Sequence, residues 1–339
     1  MSRRDARKKL VEALAELPPS PEHPALAHLV NALKSRHGKC VASVLFYGSC
    51  LRSGDPYDGL VDLYLIVDKY RCANSGWIKA AWNWMLPPNV FYAEIPFEGH
   101  MVRCKYAILS LADLEKGTSP HWFHSYLWGR FSQPTAVAWC RDAAASDVVE
   151  NSLARSVITF LNRVLPSLPA QESIQSLWSG GLQLSYRAEL RVESSARSRE
   201  LIEANKSYYQ QVTCLSAALL DYPLNISTTP AALDYLTQIP SSRRLISRAG
   251  WKVRTVQGKV LSLARLIKAL FTFDGGLDYI AWKLERHSGV HIEIPQRVRR
   301  YPLIFIWGLF LDLYRRGVFR LLIDDIHTPY LAGAWRQAG

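Results

Sequence analysis

What the sequence lacks narrows the field first. Its six cysteines (40, 50, 72, 104, 140 and 214) include no C-x-x-C pair and no histidine cluster accompanies them, which argues against both a disulfide framework and a structural zinc site. Reduced thiols in a cytoplasm-like compartment are expected. No apolar run reaches the roughly 20 residues that a membrane-crossing helix needs; the most hydrophobic stretch, Pro302 to Leu311, gives way to Asp312, Arg315 and Arg316. The opening segment MSRRDARKKLVEALAELPP mixes charge with apolar residues at helical spacing and has no continuous apolar core, so no secretory signal is expected there. Internal repeats and long flexible linkers are absent as well. What is present is ample: 339 residues, 49% of them hydrophobic, with eleven tryptophans, enough for a packed core and incompatible with a disordered chain.

The formal charge is +12, from 41 Lys and Arg against 29 Asp and Glu, which points to an anionic partner. Between residues 241 and 320 there are sixteen basic residues and five acids. Nearly all of the surplus therefore lies in the C-terminal quarter.

Residues 1–37 predict one or two helices, broken by the prolines at 18, 19, 21 and 24. The period then changes. Val41–Tyr47, Leu60–Val67, Asn89–Ile95 and Met101–Leu109 are short runs rich in β-branched and aromatic residues, and predict four strands of a mixed sheet. Ser75–Leu86 predicts a helix between the second and third, ended by Pro87-Pro88. Ser110 to Asp113 has the spacing of a capping box, and helices dominate beyond it. Val149, Leu153, Val157, Phe160, Leu161 and Val164 fall on one helical face. Ser173–Tyr186, Arg199–Leu219 and about 251–288 look similar, with a looser stretch over Pro223–Pro240.

The segment most informative about chemistry is LFYGSCLRSGDPYDGLVDLYLIVD, Leu45 to Asp68. A strand ends in Gly48-Ser49, a loop follows, and the next strand carries Asp62 near its start. This resembles the polymerase-beta-like nucleotidyltransferases. Gly48 would let the backbone approach a triphosphate, Ser49 would offer donors to its oxygens, and a strand carboxylate at Asp62 would hold the Mg²⁺ that bridges the phosphates. The bland alternative is a tight turn beside a buried or capping aspartate. A second acid two residues along is absent, since Tyr64 stands there. Asp68 lies about 20 Å from Asp62 along the strand and suits a structural role. Glu94, among apolar neighbours on the third strand, is the expected second metal ligand, with a solvated edge-strand carboxylate as the alternative. Lys105 either presents its ammonium to phosphate or snorkels to solvent. Arg130 is read as nucleotide-binding or as a partner for Asp113 or Glu115. Tyr186 and Glu189 share a helical face suited to a base or ribose, or are a core tyrosine with a surface glutamate.

Several further segments together resemble one family. They are Lys105-Tyr106 through Ser110, Asp113, Trp122 to Trp128, Gly129-Arg130, Gln133-Pro134, Leu184-Ser185-Tyr186 through Glu193, and Arg254 to Lys259. In this order, and with Tyr47-Gly48-Ser49 before them, they are similar to the mitochondrial-type phosphatidate cytidylyltransferases, also called translocator assembly and maintenance proteins. The likeness covers roughly residues 45–289 and suggests a distant, bacterial-looking branch. Cys50 stands where the family has glycine, and Ala188-Glu189 replaces a Gly-Asp. The resemblance implies CTP as nucleotide, Mg²⁺ as cofactor, phosphatidic acid or a related anionic lipid as acceptor, and CDP-diacylglycerol as product. It also implies catalytic roles for Asp62 and Lys105, and nucleotide contacts at Tyr47, Gly48, Ser49, Arg130, Tyr186 and Glu189.

Residues 251–273 set Val253, Val256, Val260, Leu263, Leu266, Ile267 and Leu270 at helical steps amid lysines and arginines. With Arg299, Arg300 and the aromatic run around Trp307, flanked by Arg315 and Arg316, this suits a membrane interface. The expected membrane contacts are Lys252, Arg254, Arg299, Arg300, Trp307, Arg315 and Arg316. A buried C-terminal helix capping the helical domain is the alternative. No nucleic-acid module is recognised, and no obligate protein partner is inferred.

The expectation is therefore an α+β chain: a helical segment over 1–37, a nucleotidyltransferase mixed sheet over 38–140, a helical domain over 141–290, and a basic amphipathic, membrane-associating tail over 291–339. It would be cytoplasmic and peripherally associated with the inner face of the cell membrane. Two other readings stand beside lipid cytidylyl transfer: the same fold acting on a non-lipid acceptor, and an inactive membrane-binding protein.

Overall fold

The fold is known from a computed structural model, which describes residues 2–73, 81, 83–189, 195–228, 233–272, 293–300, 308 and 311. The chain divides into two compact units, residues 1–269 and 270–339. The first contains every feature discussed below apart from the last three residues of the helix Ser241–Thr272, Arg299 and Arg300.

It is α+β, and its first layer is a five-stranded mixed sheet. Strands β1 (Val41–Tyr47), β2 (Val61–Val67), β3 (Asn89–Phe97), β4 (His100–Ser110) and β5 (Thr135–Cys140) lie in the order β3-β4-β2-β1-β5, with β2 and β4 parallel and the other neighbours antiparallel. The four expected strands are present at the expected places. The fifth, TAVAWC, extends the sheet beside β1 and was not foreseen; it sits between Pro134 and the cap residue Asp142. Apolar side chains leave both faces of the central strands, so helices cover both sides. Val44, Phe46, Leu63 and Leu65 pack with Leu26, Leu29 and Leu33 of the helix Pro24–His37. Leu45, Tyr64, Ile66, Ala107 and Leu109 face the helical region.

That region begins with the helix Ala143–Val164, started by Asp142, whose side chain accepts from Ala145 N–H at 2.8 Å. Its six expected core residues are all buried. Phe160 stacks on Trp178 of the helix Ile174–Arg187, ring centroids 4.7 Å apart, and Trp178 Nε1 donates to Thr213 Oγ1. The single helix expected over 199–219 is instead two, Ser195–Ala204 and Lys206–Ser216, followed by a 3₁₀ turn. Within the looser stretch 223–240, strands β7 (Leu224–Thr228) and β8 (Leu233–Thr237) pair with each other, and the short β6 (Gln171–Ser173) adds to β8. In this small sheet the strand order is β6-β8-β7, the first strand lying beside the last. The helix expected over 75–86 lies mostly outside the described residues.

A 32-residue helix, Ser241–Thr272, closes the unit. It crosses the end of the Ile174–Arg187 helix at Gly258, where an added Cβ would run into the Ala188 carbonyl oxygen. Gly250, two turns earlier, has open space around it. Gly258→Ala is therefore expected to destabilise the protein by on the order of 1–3 kcal/mol, whereas Gly250→Ala raises stability by up to about 1 kcal/mol through helix propensity. Urea midpoints of the two variants check this opposition of sign.

Candidate active site

Strand register builds the site. Tyr47 pairs with Asp62, Asp62 with Lys105, and Lys105 with Tyr92. Directly paired residues project from the same face of a sheet, so these four side chains form a row across β1, β2, β4 and β3 on the face towards the helical region. Asp62 is the only charged residue of β2 and sits at its half-exposed start, where the apolar run begins. Immediately after β1 the chain turns at Gly48, φ +92°, a conformation that L side chains rarely adopt. A Cβ there would stand 2.6 Å from Asp62 Oδ2. The bare backbone is thus pressed against the carboxylate, and Ser49 opens the short turn Ser49–Ser53 beside it.

A cation closes the row from the helical side. Arg130, in the helix Tyr126–Phe131, lies 5.3 Å from the Tyr47 ring centroid and 5.9 Å from that of Tyr126, and Nη2 is 3.9 Å from Glu189 Oε2. Burial opposes its charge, but Tyr64, Tyr47, Glu189 and Tyr126 outweigh it and hold the guanidinium pKa well above its ordinary value. Burial likewise pushes the Tyr64 phenol well up, and its hydroxyl donates to Tyr126 Oη at 3.4 Å. Arg130 does not pair with Asp113, which accepts from Tyr70 and Ser110 instead. Tyr186 is buried and donates to Gln133 Oε1 at 2.8 Å. Tyr47, Gly48, Asp62, Lys105, Arg130 and Glu189 are therefore brought to one corner of the sheet.

Glu94 does not join them. It accepts from Tyr92 Oη at 2.6 Å and Arg103 Nε at 3.1 Å, and it lies two strands across and two residues along from Asp62, about 12 Å at ordinary sheet spacings. The expectation that it supplies the second metal ligand is corrected: Arg103, its cross-strand partner, draws the carboxylate away. Among the described residues no three His, Cys, Asp or Glu side chains group to hold a metal. One carboxylate plus a ligand's own phosphate oxygens and water is nevertheless a donor set that Mg²⁺ accepts. Asp68, as expected, serves structure, in a two-pronged pairing with Arg141.

No family model and no curated protein matches this chain. Among solved structures it is similar to a nucleotidyltransferase-like protein from Exiguobacterium sibiricum, at 8% identity over 62% of this chain and 99% of that one, with a TM-score of 0.23. A likeness that loose says nothing of chemistry, which rests on the residues themselves.

The expected membrane residues separate. In the helix Ser241–Thr272, Val253, Val256, Val260 and Leu263 are 52–66% exposed, with Leu245 and Ile246 also outside. Lys252 is exposed among them. Arg254 is not: it is buried, donates from Nε to the Phe123 carbonyl at 2.6 Å and lies over the Phe123 and Trp251 rings. Its place at a membrane contact is corrected, because packing has turned this cation inward. Arg299 and Arg300 end a short helix, Gln296–Arg300, and Trp307, Arg315 and Arg316 lie outside the described residues. No helix among the described residues is long and apolar enough to cross a membrane.

Arg265 and Lys268, expected only as charges of the basic amphipathic helix, share one helical face with Arg254. Arg265 Nε donates to Pro87 O at 3.1 Å, and Lys268 Nζ to Leu86 O and Pro88 O at 2.5 and 3.1 Å, clasping the turn that leads into β3. Burial, with help from Arg265, pushes the Lys268 ammonium down to about 7 from 10.5. The unfolded chain thus binds the extra proton between these values, and stability is expected to rise with pH from about 7 to 10. Lys268→Met should flatten that part of a melting-temperature profile; an unchanged slope would show that the group is not responsible.

Proposed function

We propose that the protein is a nucleotidyltransferase that moves CMP from CTP to a lipid phosphate with release of pyrophosphate. The observation that carries this reading is the Gly48 backbone held against Asp62 at a strand end, with Lys105 in register beside them. A side-chain-free turn next to a carboxylate and a lysine suits a metal-bound triphosphate. CTP and the lipid acceptor rest on the family resemblance, and the exposed apolar stripe flanked by Lys252 and Lys259 supports a lipid surface over a soluble acceptor.

In this mechanism Gly48 and Ser49 cradle the triphosphate, while Lys105 and Arg130 balance charge as the α-phosphorus is attacked. Mg²⁺, held by Asp62 and the nucleotide's own oxygens, would supply further charge neutralisation at the phosphates. An oxygen of the acceptor phosphate forms the new P–O bond, and the bond to the β-phosphate breaks with its electrons leaving on pyrophosphate. A phosphate monoester is ionised at neutral pH, so no side chain needs to remove a proton.

The full-length protein, incubated with Mg²⁺, CTP labelled at the α-phosphate and phosphatidic acid liposomes, is expected to give organic-soluble label. Asp62→Asn should lower that rate by roughly 10²-fold or more, and Gly48→Ala should do the same by displacing the carboxylate. Label that stays in water, or an active Asp62→Asn protein, would sink the reading. Val256→Ser with Val260→Ser should reduce turnover on liposomes while leaving a soluble short-chain phosphatidic acid unaffected.

A further inference from the structure

The face that the helix Ser241–Thr272 turns inward is lined with cations, and two donors beside it have no partner. The helix contains eight Lys and Arg and no acid. Arg254, Gly258, Arg265 and Lys268 follow one another at multiples of three and four residues and so share one face. Arg254 and Lys268 donate to main-chain carbonyls, as does Arg265 through Nε. Arg265 Nη1, however, is buried without a hydrogen-bond partner. Facing this helix is His124, 3% exposed. Its Nδ1 accepts the Tyr126 N–H at 3.2 Å, so the neutral ring carries its proton on Nε2. That N–H is also buried and unpartnered, and a Cβ on Gly258 would stand 3.2 Å from it. The imidazole therefore looks onto the helix face between Arg254 and Arg265. Ser125 Oγ, on the adjacent residue, is a third buried atom without a partner.

The charges tell the same story. Burial first, then Arg265 and Arg254, pushes His124 down to about 3. Burial, then Arg163, pushes Arg254 down to about 10, and burial with Arg265 brings Lys268 to about 7. No carboxylate is among the groups acting on His124 or Arg254. Buried positive charge without a counter-charge is costly, and each unmade hydrogen bond adds to that. One oxyanion would relieve both.

We propose that His124 Nε2 and Arg265 Nη1 frame an anion site, separate from the Gly48–Asp62 corner, that takes free phosphate or the phosphate group of a monoester. A tetrahedral oxyanion accepts from both N–H groups and compensates the cationic helix face. The Tyr126 ring connects the site to the sheet: the Arg265 guanidinium lies 4.2 Å from its centroid and Arg130 5.9 Å, and its hydroxyl meets that of Tyr64. The proposal does not need the transfer reaction.

The test is thermal stability and calorimetric binding of the full chain in sodium phosphate against sodium chloride at equal ionic strength. Phosphate is expected to raise the melting temperature of the wild type and of Asp62→Asn alike. Arg265→Gln should weaken phosphate about tenfold or more, the usual effect of losing a hydrogen bond to a charged group, and Lys252→Gln should leave it unchanged. If Arg265→Gln fails to fold, the histidine side chain gives an independent reading in the wild type: its Nε2 resonance, assigned with His124→Gln, should move on adding phosphate. Tighter binding of dihexanoyl phosphatidic acid than of inorganic phosphate would make the ligand a monoester, and equal or weaker binding would make it free phosphate. No stabilisation beyond chloride, or an undiminished effect in Arg265→Gln with a stationary His124 resonance, would overturn the proposal.

Discussion

A single guanidinium joins the two halves of the larger unit. Arg130 comes from the helical side, lies over Tyr47 of β1 and pairs with Glu189 at the end of the Ile174–Arg187 helix. A cation this deeply placed needs compensation, and here tyrosine rings and one carboxylate provide it. Those partners sit on three different elements, so the charge balance of Arg130 holds the sheet corner and the helical region in one arrangement. Tyr64 and Tyr126 complete the contact, and Tyr186 adds a bond to Gln133. The corner so fixed is the one where Gly48 meets Asp62.

The same imbalance of charge shapes the rest of the molecule. Lys105 and Arg130 both reach the sheet corner, which favours an anionic ligand there. The long C-terminal helix repeats the theme with an inversion of ordinary amphipathicity. Its arginines and lysine on one face reach inward to carbonyls at Phe123, Leu86, Pro87 and Pro88, while its valines face out. Polar backbone at chain turns needs donors, and these side chains supply them. The apolar stripe left outside is the kind of surface that marks an interaction.

Much of this was legible in the residues and some of it could not be. The four strands read from β-branched runs bounded by glycine and proline lie where expected, and the six-residue stripe from Val149 to Val164 is the helix core. The Gly48-Ser49 turn and the solitary Asp62 stand out because each breaks an apolar pattern. β5, β7 and β8 escaped notice because they are short and lie among proline, serine and threonine. Glu94 was misassigned for a different reason: its partner, Arg103, is set by the pairing of β3 with β4, and register between strands is a tertiary property. Arg254 follows the same logic. Helical periodicity shows which residues share a face, but packing decides which face turns inward.

The central claim is that the Gly48–Asp62–Lys105 corner holds the nucleotide. A crystal structure of the protein with CTP and Mg²⁺ tests it most directly. The account predicts the triphosphate against Gly48, Ser49 and Lys105 and the ion on Asp62, with Glu94 still bound to Arg103. An ion on Glu94, or a nucleotide bound away from Gly48, would contradict it.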